Sequence, residues 1–436
     1  MRSQNWVAHS FKPMQHPLSV LSKSWRQSLK PCFLFCLTAF LTILLAGQPT
    51  KAIAQTPTPE LAPFPEVPLP EISVPKPAPK PHQEIRGVWM TENDNDILRD
   101  HAKLQDAVGQ LTRLNFNTLY PVIWNSGYVL YPSAVAQRHE IQPFVRKGLQ
   151  GQDILADLTT QAHQKGLLVV PWFEFGFMAP AVSELAANRP EWFTHRRDGS
   201  LTTEIDAGEV MWLNPFLPEV QQFITDLVLE AVTQYDVDGI QFDDHMALPV
   251  EFGYDRYTLA LYKQETKKDA PANARDPEWI RWRADKITTF MAQLNKAVKA
   301  SKPNAIFSVS PNPYDSAYSG YLQDWLNWVR KDIVDELIVQ VYRPDMQSFL
   351  GQINRAEIQE ARQKIPTGVG VLTGLRNKPM PMSLIQSKVR AARDRGLGVS
   401  FFYYESLWDH TPEPAAERQA NFQALFQYRV ARAVTE

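Results

Sequence analysis

The stretch of this chain best equipped for chemistry is Val237-Asp238-Gly239-Ile240-Gln241-Phe242-Asp243-Asp244-His245. Asp238-Gly239 turns the chain into a short apolar run, which ends on two carboxylates and an imidazole. Side chains alternate along a strand. One face therefore carries Gly239, Gln241, Asp243 and His245, and the other Ile240, Phe242 and Asp244. In a parallel barrel the polar face lines the centre and the apolar face packs under helices. Asp243 and His245 then stand at the carboxyl end of a strand, where barrel enzymes keep their chemistry. The plainer alternative is that Asp243-Asp244 only caps the next segment, a common use of Asp after a strand.

Other strand-like runs end the same way. Trp89-Met90-Thr91-Glu92, Trp124-Asn125, Trp172-Phe173-Glu174, Pro311-Asn312-Pro313-Tyr314, Tyr342-Arg343-Pro344-Asp345 and Tyr403-Tyr404-Glu405 each follow an apolar run, and Trp408 lies just beyond the last. Carboxylates, aromatics and amides on one rim suit a carbohydrate, whose apolar faces stack on rings and whose hydroxyls bind carboxylates and amides. Glycoside cleavage needs one protonated carboxyl as acid and one ionised carboxylate as nucleophile or base. Neighbours on a strand point apart, so Asp243 or Asp244 needs a partner from elsewhere, and Glu174 and Glu405 are the best placed. Trp89, Trp124, Trp172, Tyr342, Tyr404 and Trp408 are candidate sugar platforms, with His245 and Asn312 orienting sugar or carboxylate. Each has a plainer role, as barrel core for the tryptophans and as a turn residue for Asn312.

The elements that must position these residues alternate between strand and helix patterns, the signature of βα units and a parallel sheet. Strands are expected at 85–90, 117–124, 167–174, 237–245, 305–310, 336–342, 367–372 and 399–404. Helices are expected at 104–114, 153–165, 218–235, 277–300, 321–331, 383–395 and 414–430. This predicts a (β/α)8 TIM-type barrel with long insertions after strands three and four. The first insertion, Gly176 to about Pro215, reads as a lid or subdomain. An open doubly wound sheet is the alternative, but no Gly-x-Gly-x-x-Gly follows any strand.

Composition bounds the rest. Formal net charge is -2 over 436 residues, so no basic footprint for nucleic acid exists. Lys23, Arg26 and Lys30 precede the apolar run Phe33 to Ala46, and Ala52-Ile53-Ala54 follows as an A-x-A pattern. Residues 1–54 thus read as a signal peptide or an amino-terminal membrane anchor, and either exports the rest. Both cysteines, Cys32 and Cys36, lie there, which leaves the exported part without a thiol. Residues 55–83 hold ten prolines and read as a semi-rigid spacer; residues 84–436 form the domain. No cofactor is implied. A metal-dependent polysaccharide deacetylase would ask for histidines at metal spacing, and the nine histidines include no His-x-x-x-His pair.

Arg86-Gly87-Val88-Trp89, Trp172-Phe173-Glu174, Leu213-Asn214-Pro215, Asp238 to Asp244 and Trp282-Arg283, in this order, resemble glycosyl-hydrolase-like family 10. The resemblance runs from about Glu84 onward. It implies a (β/α)8 barrel and a glycoside hydrolase, with members that cut peptidoglycan glycan strands stripped of their peptides, and it puts the strand-four acid at Asp243-Asp244. A weaker resemblance is to substrate-assisted chitinases, whose strand four carries Asp-Gly-x-Asp-x-Asp-x-Glu. Here Gln241 stands for the first inner Asp and His245 for the acid. A barrel that binds glycan without cleaving it remains the reading from a different class.

Overall fold

Eight short runs rich in Val, Ile, Leu and Phe are buried on both faces, as parallel strands under helices must be. In the computed structural model, which describes residues 83–141, 152–205 and 208–432, they are β1 (Arg86–Met90), β2 (Thr118–Asn125), β3 (Leu168–Val169 and Trp172–Phe173), β4 (Gly239–Asp243), β5 (Ile306–Ser310), β6 (Glu336–Gln340), β7 (Thr367–Leu372) and β8 (Gly398–Phe402). Neighbours in sequence pair in parallel throughout. β1 joins both β2 and β8, so the sheet closes into a barrel. The leader and most of the linker fall outside the described residues.

One helix follows each strand on the outside: α1 (His101–Arg113), α2 (Ile154–Gln164), α3 (Pro218–Gln234), α4 (Pro277–Ser301), α5 (Trp325–Arg330), α6 (Ala356–Lys364), α7 (Met382–Arg393) and α8 (Ala415–Leu425). Their starts are written in the sequence. The Asp100 side chain accepts from the amides of Ala102 and Lys103 at the start of α1, and Asp276 does the same for α4 ahead of Pro277. In α1 the buried Leu104, Ala107, Val108 and Leu111 follow helical spacing.

Three details depart from the sequence expectation. β3 is broken at Val170-Pro171, because Pro171 has no amide for the ladder. The helix expected at 321–331 is the shorter α5, and a separate helix, Tyr314–Tyr321, comes before it and ends at Leu322, whose φ is 59°. Helices at Arg256–Thr266, Met346–Ile353 and α6 were not anticipated. The insertion after β3 is a small subdomain, in which Met178–Pro180, Thr203–Ile205 and Gly208–Trp212 form a three-stranded antiparallel sheet.

The insertion after β4 is held by Arg283 of α4, which is fully buried and pairs with no carboxylate among the described residues. Its guanidinium donates to the carbonyls of Val250 (2.7 Å), Phe252 (2.6 Å) and Ala274 (2.7 Å). Asn214 anchors the other side, donating to Asp255 Oδ1 and Thr258 Oγ1, both at 2.9 Å. At the amino-terminal end of the barrel, Arg432 enters from the chain terminus. It pairs with buried Glu336, which also accepts from Tyr120 (2.8 Å) and Ser308 (2.8 Å). Ser308 in turn accepts from Gln241 (2.9 Å), and Gln241 accepts from Trp89 Nε1 (2.7 Å). A continuous hydrogen-bonded column thus fills the barrel from its base up to the aromatic layer.

Candidate active site

That aromatic layer floors the carboxyl-end rim. Trp89, Trp172 and Phe402 pack at centroid separations of 6.2 to 6.3 Å, and Tyr342 lies 5.2 Å from Phe402. Gly370 of β7 leaves the room they need: a Cβ there would meet Tyr342 Cε1 at 2.9 Å. Trp89, Trp172 and Tyr342 keep only 1%, 2% and 5% of their surface exposed. They seal the barrel more than they present faces to a ligand.

On this floor stand Asp243 and Asp244. As anticipated, Gln241 points inward while Phe242 packs outward against Phe173 and Phe307. The expectation that the two carboxylates point apart is corrected, because β4 stops at Asp243 and the chain turns. The Met246 amide donates back to the Asp243 carbonyl (3.1 Å) and the Asp244 amide donates to Asp243 Oδ1 (2.6 Å). Both carboxylates consequently accept from one amide group, Nε2 of Gln340 at the end of β6, which lies 3.2 Å from Asp244 Oδ1. Asn312 Nδ2 holds Asp244 Oδ2 at 2.5 Å, and Trp325 Nε1 fixes Asn312 through its carbonyl (3.1 Å).

Burial first, and then the adjacent Asp244 charge, pushes Asp243 well above the usual carboxylate range. Burial also works against the charge on Asp244. It is outweighed by the nearby His245 ring, by the hydrogen bond from Asp243 and by Gln340, which together hold Asp244 below its ordinary value. Asp243 therefore carries the proton of the pair, and Asp244 is the anion.

Glu174, just past β3, faces the same cluster. Burial, with Glu92 and Asp244 as neighbouring negative charges, raises it to about 8, against the lowering effect of the hydrogen bond from Asn125 Nδ2. His245 joins the two sides: its Nδ1 donates to the Glu174 carbonyl (2.9 Å) and lies 3.6 Å from Asp244 Oδ1. Gly176, with φ of 47°, lets the chain after Glu174 press on the His245 backbone. A Cβ there would fall 2.5 Å from the His245 carbonyl.

The remaining candidates lie elsewhere. Glu405 is held by both nitrogens of a fork from Arg376 (2.9 and 2.7 Å) and by Tyr403 OH (3.1 Å), on the short helix Tyr404–Trp408. Tyr404 donates to Gln110 of α1 (3.0 Å), and the Trp408 ring packs on Phe422 of α8, so both belong to the helical shell. Trp124 is buried against Phe173 and Phe223 of α3. The register of β2 against β3 slips between Val122 and Trp124. That irregularity sends the ring outward and brings Asn125 to Glu174. Sequence reasoning missed Gln340 and Asn125 as carboxylate partners. Their one signal was position, each being the last residue of its strand.

Asp243, Asp244 and His245 offer three oxygen or nitrogen atoms within 4.8 Å of one another, a spacing that can hold a cation. The carboxylates, however, already accept from the Gln340 and Asn312 amides, and His245 Nδ1 donates to the Glu174 carbonyl. That environment suits a hydrogen-bonded acid–anion pair better than a metal.

Three comparisons bear on this site. The fold matches the glycoside hydrolase domain of PgaB (BpsB) from Bordetella bronchiseptica, with a TM-score of 0.57 and 14% identity over 79% of this chain and 98% of that one. It also matches alpha-L-fucosidase isoenzyme 2 from Paenibacillus thiaminolyticus, at 0.58 and 15% over 79% and 49%. At such identities the likeness is one of fold. In sequence the chain is 26% identical over 303 residues to glycosyl hydrolase DigH of Escherichia coli (strain K12), covering 60% of this chain and 66% of that one. It is 24% identical over 296 residues to glycosyl hydrolase YngK of Bacillus subtilis (strain 168), covering 60% and 54%. The chain thus spans just under two thirds of the one relative and about half of the other. The model of the glycosyl hydrolase-like 10 family matches residues 84–391, most of the chain, and the protein belongs to that family.

Proposed function

We propose that this protein is a glycoside hydrolase of the cell envelope, acting on the glycan of peptidoglycan stripped of its peptides. The observation that carries the reading is the pair of opposite carboxyl states on one rim, with Glu174 raised to about 8 and Asp244 held below its usual range. Glycoside cleavage requires this division of roles. Glu174 gives its proton to the glycosidic oxygen as the bond to the anomeric carbon breaks. Asp244 either attacks that carbon or takes the proton of the attacking water. Asp243 and Gln340 keep Asp244 oriented, and Asn312 occupies its outer oxygen until substrate competes for it. The basic and apolar leader supports export, with residues 55–83 as a spacer and residues 84–436 as the working domain. The names of the curated relatives support the glycosidase class; the choice of peptidoglycan rests on the family resemblance together with export.

Digestion of peptide-free peptidoglycan strands, beside chitin and a glucan, tests this. Fragments are expected from the denuded strands, and they vanish in Glu174→Gln and Asp244→Asn. The anomer first released tells whether Asp244 acts as nucleophile or as base. Binding with no fragments from any substrate overturns hydrolysis in favour of a glycan-binding barrel.

A further inference from the structure

The tryptophans and the tyrosine of the barrel floor are almost sealed, so a sugar ring entering the rim finds little open aromatic face there. Tyr321 is different. It ends the helix Tyr314–Tyr321, and 39% of its surface is exposed. Its hydroxyl has no hydrogen-bond partner among the described residues.

Its placement near the segment after Asp244 is built rather than incidental. The Tyr321 carbonyl accepts from the Leu248 amide (3.0 Å) and the Gly320 carbonyl from the Val250 amide (2.9 Å), which pins the helix end to the segment that follows Asp244. Two residues on, the buried Gln323 donates from Nε2 to the Asp243 carbonyl (3.0 Å). The left-handed Leu322 makes the turn between the two attachments. The charge of Asp244 reaches the Tyr321 phenol, as does that of Glu251, and both add to the effect of burial in discouraging its ionisation. The ring thus remains a neutral platform with a polar tip.

The geometry points to Tyr321 as the aromatic platform that stacks the sugar next to the scissile bond, a substrate-contacting and specificity-determining residue. This rests on the glycosidase reading. A flat pyranose packs on a flat ring, while the phenol reaches a ring hydroxyl. Gln323, two residues beyond the helix that carries Tyr321, holds the backbone of Asp243, so the platform and the carboxylates stay tied to one short segment.

The test compares Tyr321→Ala, Tyr321→Leu, Tyr321→Phe and Tyr321→Trp in the full protein. Binding of chitohexaose is measured by calorimetry, and hydrolysis of peptide-free glycan strands by product release. Leucine keeps the apolar bulk without a flat face, and serves where alanine fails to fold. Tyr321→Ala and Tyr321→Leu are expected to weaken binding and raise KM about tenfold, the size of one good aromatic contact, with kcat within about twofold. Tyr321→Phe and Tyr321→Trp restore most of both, because the flat ring carries the larger share of the contact. Wild-type affinity and KM in Tyr321→Leu overturn the assignment and leave the glycosidase reading standing. A wild-type protein that binds and cleaves no glycan overturns both.

Discussion

Replacing Glu174 by Gln tests the central assignment most directly, because the amide keeps the shape of the carboxyl and its acceptor oxygen for Asn125 but can never supply a proton. An ordinary glutamic acid near 4.5 is protonated in about one molecule in three hundred at pH 7, whereas one at about 8 is about nine-tenths protonated. The burial of Glu174 therefore raises the supply of acid roughly three-hundredfold at neutral pH. Loss of the general acid is expected to lower kcat about 10²–10⁴-fold on natural glycan. A substrate whose leaving group needs no proton should lose far less. The pH profile carries the sharper signature. Wild-type kcat/KM should hold from mildly acid pH and fall as Glu174 deprotonates near 8, and the alkaline limb should be absent from the residual activity of Glu174→Gln. Stability moves in a linked direction. A carboxyl raised in the folded state favours folding fully below its unfolded value of about 4.5, and that contribution is lost as the pH rises through about 8. At about 1.4 kcal/mol per unit the gap bounds the loss at about 5 kcal/mol, and Glu174→Gln should flatten this part of the curve. Asp94, raised to about 7 by burial, contributes a slope of the same sign that the variant leaves in place. An alkaline limb that persists unchanged in Glu174→Gln, or a kcat within twofold of wild type on natural glycan, refutes the assignment.

Two further substitutions probe the scaffold of the site. Gln340→Leu removes the one amide that both aspartates share; it should cost about 1–3 kcal/mol of stability in urea unfolding and lower kcat more than it raises KM. Unchanged kcat would mean that the orientation of Asp244 does not depend on β6. Arg432→Ala leaves Glu336 buried without its cation at the base of the barrel and should destabilise by about 3–5 kcal/mol. The double variant Arg432→Ala with Glu336→Gln should recover most of that loss, and equal losses in the single and double variants would show that the unpaired Glu336 charge is not what costs stability.

What could be read from the sequence and what could not divides along a physical line. Strand positions and the inward side of Gln241 follow from period-two alternation, which every buried strand must obey, so the barrel and the rim location of Asp243, Asp244 and Glu174 were legible. Alternation stops being a guide where a strand ends or slips, and the site lies at those places. Past Asp243 the chain turns, so two carboxylates that alternation sends apart come under one amide; in β2 the slip between Val122 and Trp124 exchanges a tryptophan for an asparagine facing Glu174. Residue type misled in a related way. Large aromatics at strand ends read as platforms, but a closed barrel needs its centre filled, and Trp89, Trp172 and Tyr342 are spent on that filling. One ring with an exposed face, Tyr321, sits at the end of a helix whose boundary the sequence blurred, because the left-handed turn at Leu322 uses a residue type that rarely adopts it. The amides that hold these carboxyl groups, Gln340 and Asn125, carry no charge of their own. A search for ionisable groups passes over them, although an amide that donates to a buried carboxylate helps decide which of two acids stays charged.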